Sequence, residues 1–194
     1  MKVVVFGANG RIGSEIVKQV SEKHEVVKVG RSSGDIKADY TDEQSVRNMY
    51  KQIGSFDALC CVAGRDSDFV DVKDLNLIHF QSGIERKLLG QLRLVFEGLR
   101  YINYGGSFTL SSGYLNHYPN SYSMATSPFN AFIDNFGEVM APYLQNDVRL
   151  NVVSAAPVVD IAEHGKVTAE MVANEFVKSV EGKLTGNVFK LWNM

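Results

Sequence analysis

Two hydrophobic periods alternate along this chain. KVVVF opens it as a run of apolar, β-branched residues, the pattern of a strand buried on both faces. Ile12, Ile16, Val17 and Val20 then recur at helical spacing. EVVKV predicts a second strand. TDEQSVRNMYKQIG predicts a helix with Thr41 and Gln44 as a capping box, an apolar face of Val46, Met49, Tyr50 and Ile53, and Gly54 at its stop. FDALCCVAG reads as a central strand. Residues 82–99 read as one long helix with Leu88, Leu92, Val95, Phe96 and Leu99 on one face. GSFTLSS and DVRLNVVSA are further strands, TAEMVANEFVKSVEG a capped helix, and GNVFKLW the closing strand. This alternation predicts an α/β fold: a doubly wound, mostly parallel sheet of about seven strands with helices on both faces. GRSSGDI, between the second strand and a short IKAD strand, is too short for a helical crossover, which predicts a trimmed sheet edge.

With 194 residues and no repeat or linker-like stretch, the expectation is a single domain over 1–194. Hydrophobic residues are 45% and charged residues 22%, an ordinary globular balance. The net charge of −2 gives no electrostatic case for nucleic acid or an anionic membrane. No apolar stretch reaches membrane-spanning length, and the first residues do not read as a signal peptide. Cys60 and Cys61 are adjacent in a strand, so they point to opposite faces and read as buried hydrophobes of a reducing cytoplasm. His24, His79, His117 and His164 show no metal-ligand spacing, and no metal is expected.

GANGRIG, between the first strand and the first helix, places Gly7, Gly10 and Gly13 around Asn9, Arg11 and Ile12. Strand, glycine turn and helix in that order form a Rossmann-type cradle: glycine lets backbone approach a pyrophosphate, and the helix N-terminus favours its charge. At the end of the second strand, a site for NAD places an acid against the ribose 2′-hydroxyl. Here Arg31 and Ser32 follow instead, and a guanidinium suits a 2′-phosphate. The expected cofactor is NADP(H).

These motifs, with the stretches that follow, resemble the short-chain dehydrogenase/reductase family over nearly the whole chain. ADYTDEQSV looks like the segment that meets the adenine, which implies Asp39 followed by Tyr40. CVAG matches the family's turn after the fourth strand in Ala63 and Gly64. GSFTLSSG resembles the strand that carries the catalytic serine, here Ser112. YSMATSPFNAF aligns with the tyrosine helix, placing Tyr122 at the acid/base position and Thr126 where the family has lysine. Ser127 and Pro128 read as N-cap and first helical residue, which leaves Tyr122 in the loop before the helix; Tyr114 and Tyr118 are alternatives. In KLLG, Lys87 stands at the family's asparagine position, so its ammonium is expected to replace the missing cation. After the sixth strand, the resemblance implies Pro157 and Val159 against the nicotinamide. Only about ten residues separate Pro157 from the helix near Thr168, which predicts a shallow or open substrate pocket.

The function implied is NADP(H)-dependent hydride transfer with a small carbonyl or alcohol substrate. Ser112, Tyr122 and Lys87 would be catalytic. The alternative is a non-catalytic dinucleotide-binding protein acting as a redox sensor or partner-binding module. A homodimer or homotetramer is implied through the helices that carry LRLVF and FIDNF.

Overall fold

The computed structural model describes residues 1–63 and 69–192. β1 (Lys2–Phe6), β2 (Glu25–Gly30), β3 (Ile36–Lys37), β4 (Phe56–Cys61), β5 (Ile102–Gly113), β6 (Arg149–Ala155) and β9 (Val188–Leu191) form one sheet in the order β3-β2-β1-β4-β5-β6-β9. Every neighbouring pair in it is parallel. β3 is the trimmed edge, two residues long. β7 (Val158–Val159) and β8 (Val167–Thr168) form a separate two-stranded ribbon.

Both sheet faces are apolar because alternate residues of each strand serve different layers. Val4, Phe6, Leu59, Cys61, Phe108 and Leu110 face α2 (Glu43–Ile53), α4 (Gly90–Gly98) and α5 (Ser127–Met140). Val3, Val5, Ala58, Cys60 and Val153 face α1 (Arg11–Val20) and α6 (Ala169–Glu181). The two cysteines thus lie in opposite layers, as their adjacency predicts. Tyr50 is wholly buried and donates its hydroxyl to the Leu94 carbonyl at 2.5 Å, tying α2 to α4.

Three local expectations shift. Asp42, not Thr41, caps α2 and accepts from the Gln44 N–H; the Thr41 hydroxyl is held by Asp39. Thr126, one residue before Ser127, occupies the N-cap of α5, with Pro128 in its first turn as expected. The long helix begins earlier, after the Asn76 cap, and is not uniform. α3 (Leu77–Gly83) runs into a π-helical segment (Ile84–Leu89) and then α4, with Gly90 N–H reaching the Glu85 carbonyl. The wider turn takes up an extra residue and rotates the buried face behind it. Leu94 is buried and Phe96 exposed, where a regular helix from residue 82 would bury Phe96.

In the sheet order, growth reverses between β1 and β4. A parallel sheet opens a crevice at such a switch point, beyond the carboxyl ends of its strands. Among the described residues, no helix is long and apolar enough to cross a membrane.

Candidate functional site

The crevice starts at the glycine turn. Gly7 sits at φ +91°, and its N–H reaches back to the Val29 carbonyl at 2.8 Å. A Cβ on Gly13 would lie 2.1 Å from the Gly7 oxygen, so α1 sits directly on the turn only because residue 13 has no side chain. Gly10 caps α1 with no side-chain acceptor. Among the described residues, the N–H groups of Arg11, Ile12 and Gly13 have no protein acceptor and stand at the positive end of the helix.

Three cavities lie end to end along the carboxyl edge of the sheet. The first, about 400 Å³, is lined by Gly7, Asn9, Gly10, Arg31, Ser33, Asp39 and Tyr40 among others. It shares Gly10, Val62 and Ala63 with the second, about 430 Å³, which Arg11, Ile12, Gly13, Ser111 and Val158 also line. The second shares Lys87 and Ser112 with the third, about 400 Å³. In the first cavity, burial acts to raise the Asp39 pKa. Hydrogen bonds from the Thr41 N–H and hydroxyl, with the nearby Arg31 charge, outweigh that and hold it below the usual carboxylate range. The Tyr40 ring packs 5.3 Å from Phe6. Arg11 crosses from α1 to the ribbon, donating to the Val158 carbonyl at 2.7 Å and pairing with Asp160.

At the far junction the groups are side chains. Lys87 belongs to the π-helical segment and is only 7% exposed. Burial pushes its pKa down to about 8, against the upward pull of Cys61 and Asp134. Ser112, at the end of β5, donates its hydroxyl to Asp134 of α5, and Asn116 donates to the other carboxylate oxygen at 2.9 Å. Burial raises the Asp134 pKa; these two bonds and His117, 4.0 Å away, oppose the rise. Thr126, Asn130 and Asp134 are spaced four residues apart, so they share one face of α5. Thr126 and Asn130 line the third cavity with Phe69, Tyr114, Leu115, Asn120 and Pro157.

The structure brings most of the expected residues together. Gly7, Asn9, Gly10, Arg11, Ile12, Gly13, Arg31, Asp39, Tyr40 and Ala63 line the first two cavities. Gly64 lies outside the described residues. Four positions shift. Ser32 is exposed on the loop after β2, and the next residue, Ser33, faces the cavity and accepts from the Asn9 amide at 2.7 Å. Val158 replaces Val159 because neighbours in β7 point to opposite sides. Pro157 lines the third cavity rather than the first two. Tyr122 is 53% exposed in the turn before α5 and lines neither cavity that holds Ser112; Tyr114, on the short helical turn directly after β5, lines the third. Sequence reasoning missed Asn130 and Asp134, whose four-residue spacing from Thr126 was the available signal.

No protein-family model matches the chain. Among solved structures, it superposes on the protein lin1944 from Listeria innocua with a TM-score of 0.94 and 31% identity, over 99% of this chain and 100% of that one. A small-chain dehydrogenase in complex with NADPH gives a TM-score of 0.88 at 26% identity, over 97% of this chain and 95% of that one. An uncharacterized oxidoreductase of Escherichia coli strain K12, YghA, is 23% identical over 134 residues, 66% of this chain. The chain spans about half the length of that relative, the match covering 46% of it.

Proposed function

Because the chain belongs to the short-chain dehydrogenase/reductase family, we propose that it is an NADP(H)-dependent oxidoreductase acting on a small carbonyl or alcohol substrate at the Lys87–Ser112 junction. The observation that carries this reading is the unbroken row of three cavities, two along the glycine turn and one beyond Lys87 and Ser112. A dinucleotide fits the first two: first-turn N–H groups without protein acceptors suit a pyrophosphate, and Arg31, Ser33 and Asn9 suit a 2′-phosphate. The dinucleotide relative supplies NADPH by name; the assignment to this chain rests on that likeness and on Arg31. The third cavity favours turnover over a role in cofactor binding alone.

When bound, NADPH supplies the hydride. The chain supplies the rest. Lys87 holds the substrate oxygen and, with its pKa lowered to about 8 by burial, donates the proton that oxygen takes up as the carbon–hydrogen bond forms; Ser112 Oγ, whose own proton is on Asp134, accepts from the hydroxyl so formed. This replaces Tyr122 as donor, since Tyr122 stands outside these cavities, whereas Tyr114 lines the third. The Ser112–Asp134 bond fixes the serine hydroxyl against α5. The exposed Phe96, Phe132 and Val139 on α4 and α5 support pairing of two copies in a homodimer or homotetramer.

The test is binding followed by turnover. NADPH should raise the melting temperature more than equal NADH, and Arg31→Ser should weaken NADPH about tenfold, close to 1.4 kcal/mol, while leaving NADH unchanged. A panel of small aldehydes and ketones should then show NADPH oxidation. Equal shifts by both nucleotides would remove the NADP(H) assignment; tight NADPH binding with no turnover would remove the enzymatic one.

A further inference from the structure

The third cavity contains two buried polar groups that the proposed hydride chemistry does not use. Thr126 is 6% exposed and Asn130 2% exposed, and both line the cavity that Lys87 and Ser112 open into. Neither Thr126 Oγ1 nor Asn130 Oδ1 has a hydrogen-bond partner. Such orphans are uncommon in folded proteins and call for an explanation at each position.

The position of Thr126 adds a second observation. A threonine at an N-cap ordinarily turns its hydroxyl onto the N–H groups of the first turn. Thr126 occupies the N-cap of α5 and makes no such bond. Its hydroxyl is left without a partner in the wall of the cavity, where a turn of the side chain presents it to a ligand. Asn130 stands one turn further along the same face. Its amide sits against the end of β5, where a Cβ on Gly113 would be 3.3 Å from Asn130 Nδ2. Phe69, Leu115, Ala155, Ala156 and Pro157 supply apolar wall to the same cavity.

We propose that Thr126 and Asn130 form a subsite for a hydroxyl group of the substrate, so that the carbonyl compound reduced at Lys87 and Ser112 is a small hydroxy ketone or hydroxy aldehyde. This rests on the reductase reading above. A hydroxyl both donates and accepts. It can donate to the orphan Asn130 oxygen and accept from the Thr126 hydroxyl, which satisfies both groups at once. A carboxylate only accepts and would leave the Asn130 oxygen unpaired. The apolar wall fits a short carbon chain. A site built to bond a substrate hydroxyl rejects the analogue that lacks it, because its own polar groups then stay buried and unpaired.

The experiment compares kcat/KM with NADPH for 4-hydroxy-2-butanone and for 2-pentanone, which has a methylene in place of the hydroxyl oxygen. Wild type should prefer the hydroxy ketone by about 10–100-fold, the factor for one buried hydrogen bond left unmade. Thr126→Val and Asn130→Leu should each erase most of that preference by lowering the hydroxy ketone alone, with 2-pentanone and NADPH affinity within a few-fold. Thr126→Ser, which keeps the hydroxyl, should retain the preference. Without ligand, Thr126→Val should melt no lower than wild type, because it removes an unpaired group. Reduction of both ketones at equal efficiency overturns the subsite and leaves the reductase reading standing. A Thr126→Val protein that loses both ketones equally also overturns the subsite. No turnover of either ketone by wild type overturns both.

Discussion

The two ends of the crevice are built from different material. At the glycine turn the donors are backbone N–H groups, and their placement depends on side chains being absent at Gly7, Gly10 and Gly13. At the Lys87–Ser112 end every candidate group is a side chain, and these come from three separate elements: the π-helical segment, β5 and α5. A backbone site lies in one short stretch and tolerates little change. A side-chain site can be rebuilt by moving a charge from one helix to another, which is the role proposed for Lys87. Binding and chemistry should therefore separate cleanly under mutation.

The largest effect should come from Lys87→Met. Loss of acid–base help typically costs ~10²–10⁴-fold in rate, so carbonyl reduction should fall by that factor while the NADPH dissociation constant moves only a few-fold. Equal losses in binding and turnover would merge the two regions.

The same substitution has a signature in stability. The Lys87 pKa lies at about 8 in the folded protein against an ordinary value of 10.5. Between those values the unfolded chain keeps a proton that the native state has lost, so stability rises with pH through the window and the buried ammonium is a cost below it. Relative to Lys87→Met, wild type should gain on the order of 3 kcal/mol from pH 8 to 10.5, measured by urea unfolding across that range. Parallel curves for the two proteins would place the ammonium in water.

Gly13→Ala probes the other end. Its methyl would meet the Gly7 oxygen at 2.1 Å. Forcing α1 off the turn should cost about 1–3 kcal/mol of stability and abolish the NADPH-induced rise in melting temperature. An unshifted response would mean that the turn does not hold the pyrophosphate.

Tyr122→Phe should change almost nothing, with kcat/KM within about twofold of wild type, since exposed substitutions away from a site are close to neutral. A large loss would return the proton donor to tyrosine and draw the turn before α5 into the site.

The same contrast explains what could be read from the sequence. KVVVF followed by GANGRIG is a local signal, and the strand–helix alternation behind it carries the sheet, its trimmed edge and the two apolar layers. Ser33 and Val158 shifted by one residue because loop register is set by tertiary bonds, such as Asn9 to Ser33, that no local pattern encodes. The π-helical segment leaves no periodic mark, and it exchanged Phe96 for Leu94 in the core. Lys87 was singled out from its place in KLLG, and it lines the second and third cavities. The stripe of Thr126, Asn130 and Asp134 had the right spacing but lay in the shadow of Tyr122, which family register favoured and the turn before Pro128 carries outward.

The most direct test of the central claim is a crystal structure with NADPH bound. The account predicts the pyrophosphate on the N–H groups at the start of α1, the adenine ribose beside Arg31 and Ser33, and nicotinamide C4 facing the cavity between Lys87 and Ser112. A nicotinamide turned to bulk solvent, or a Lys87 ammonium pointing away from that cavity, would contradict it.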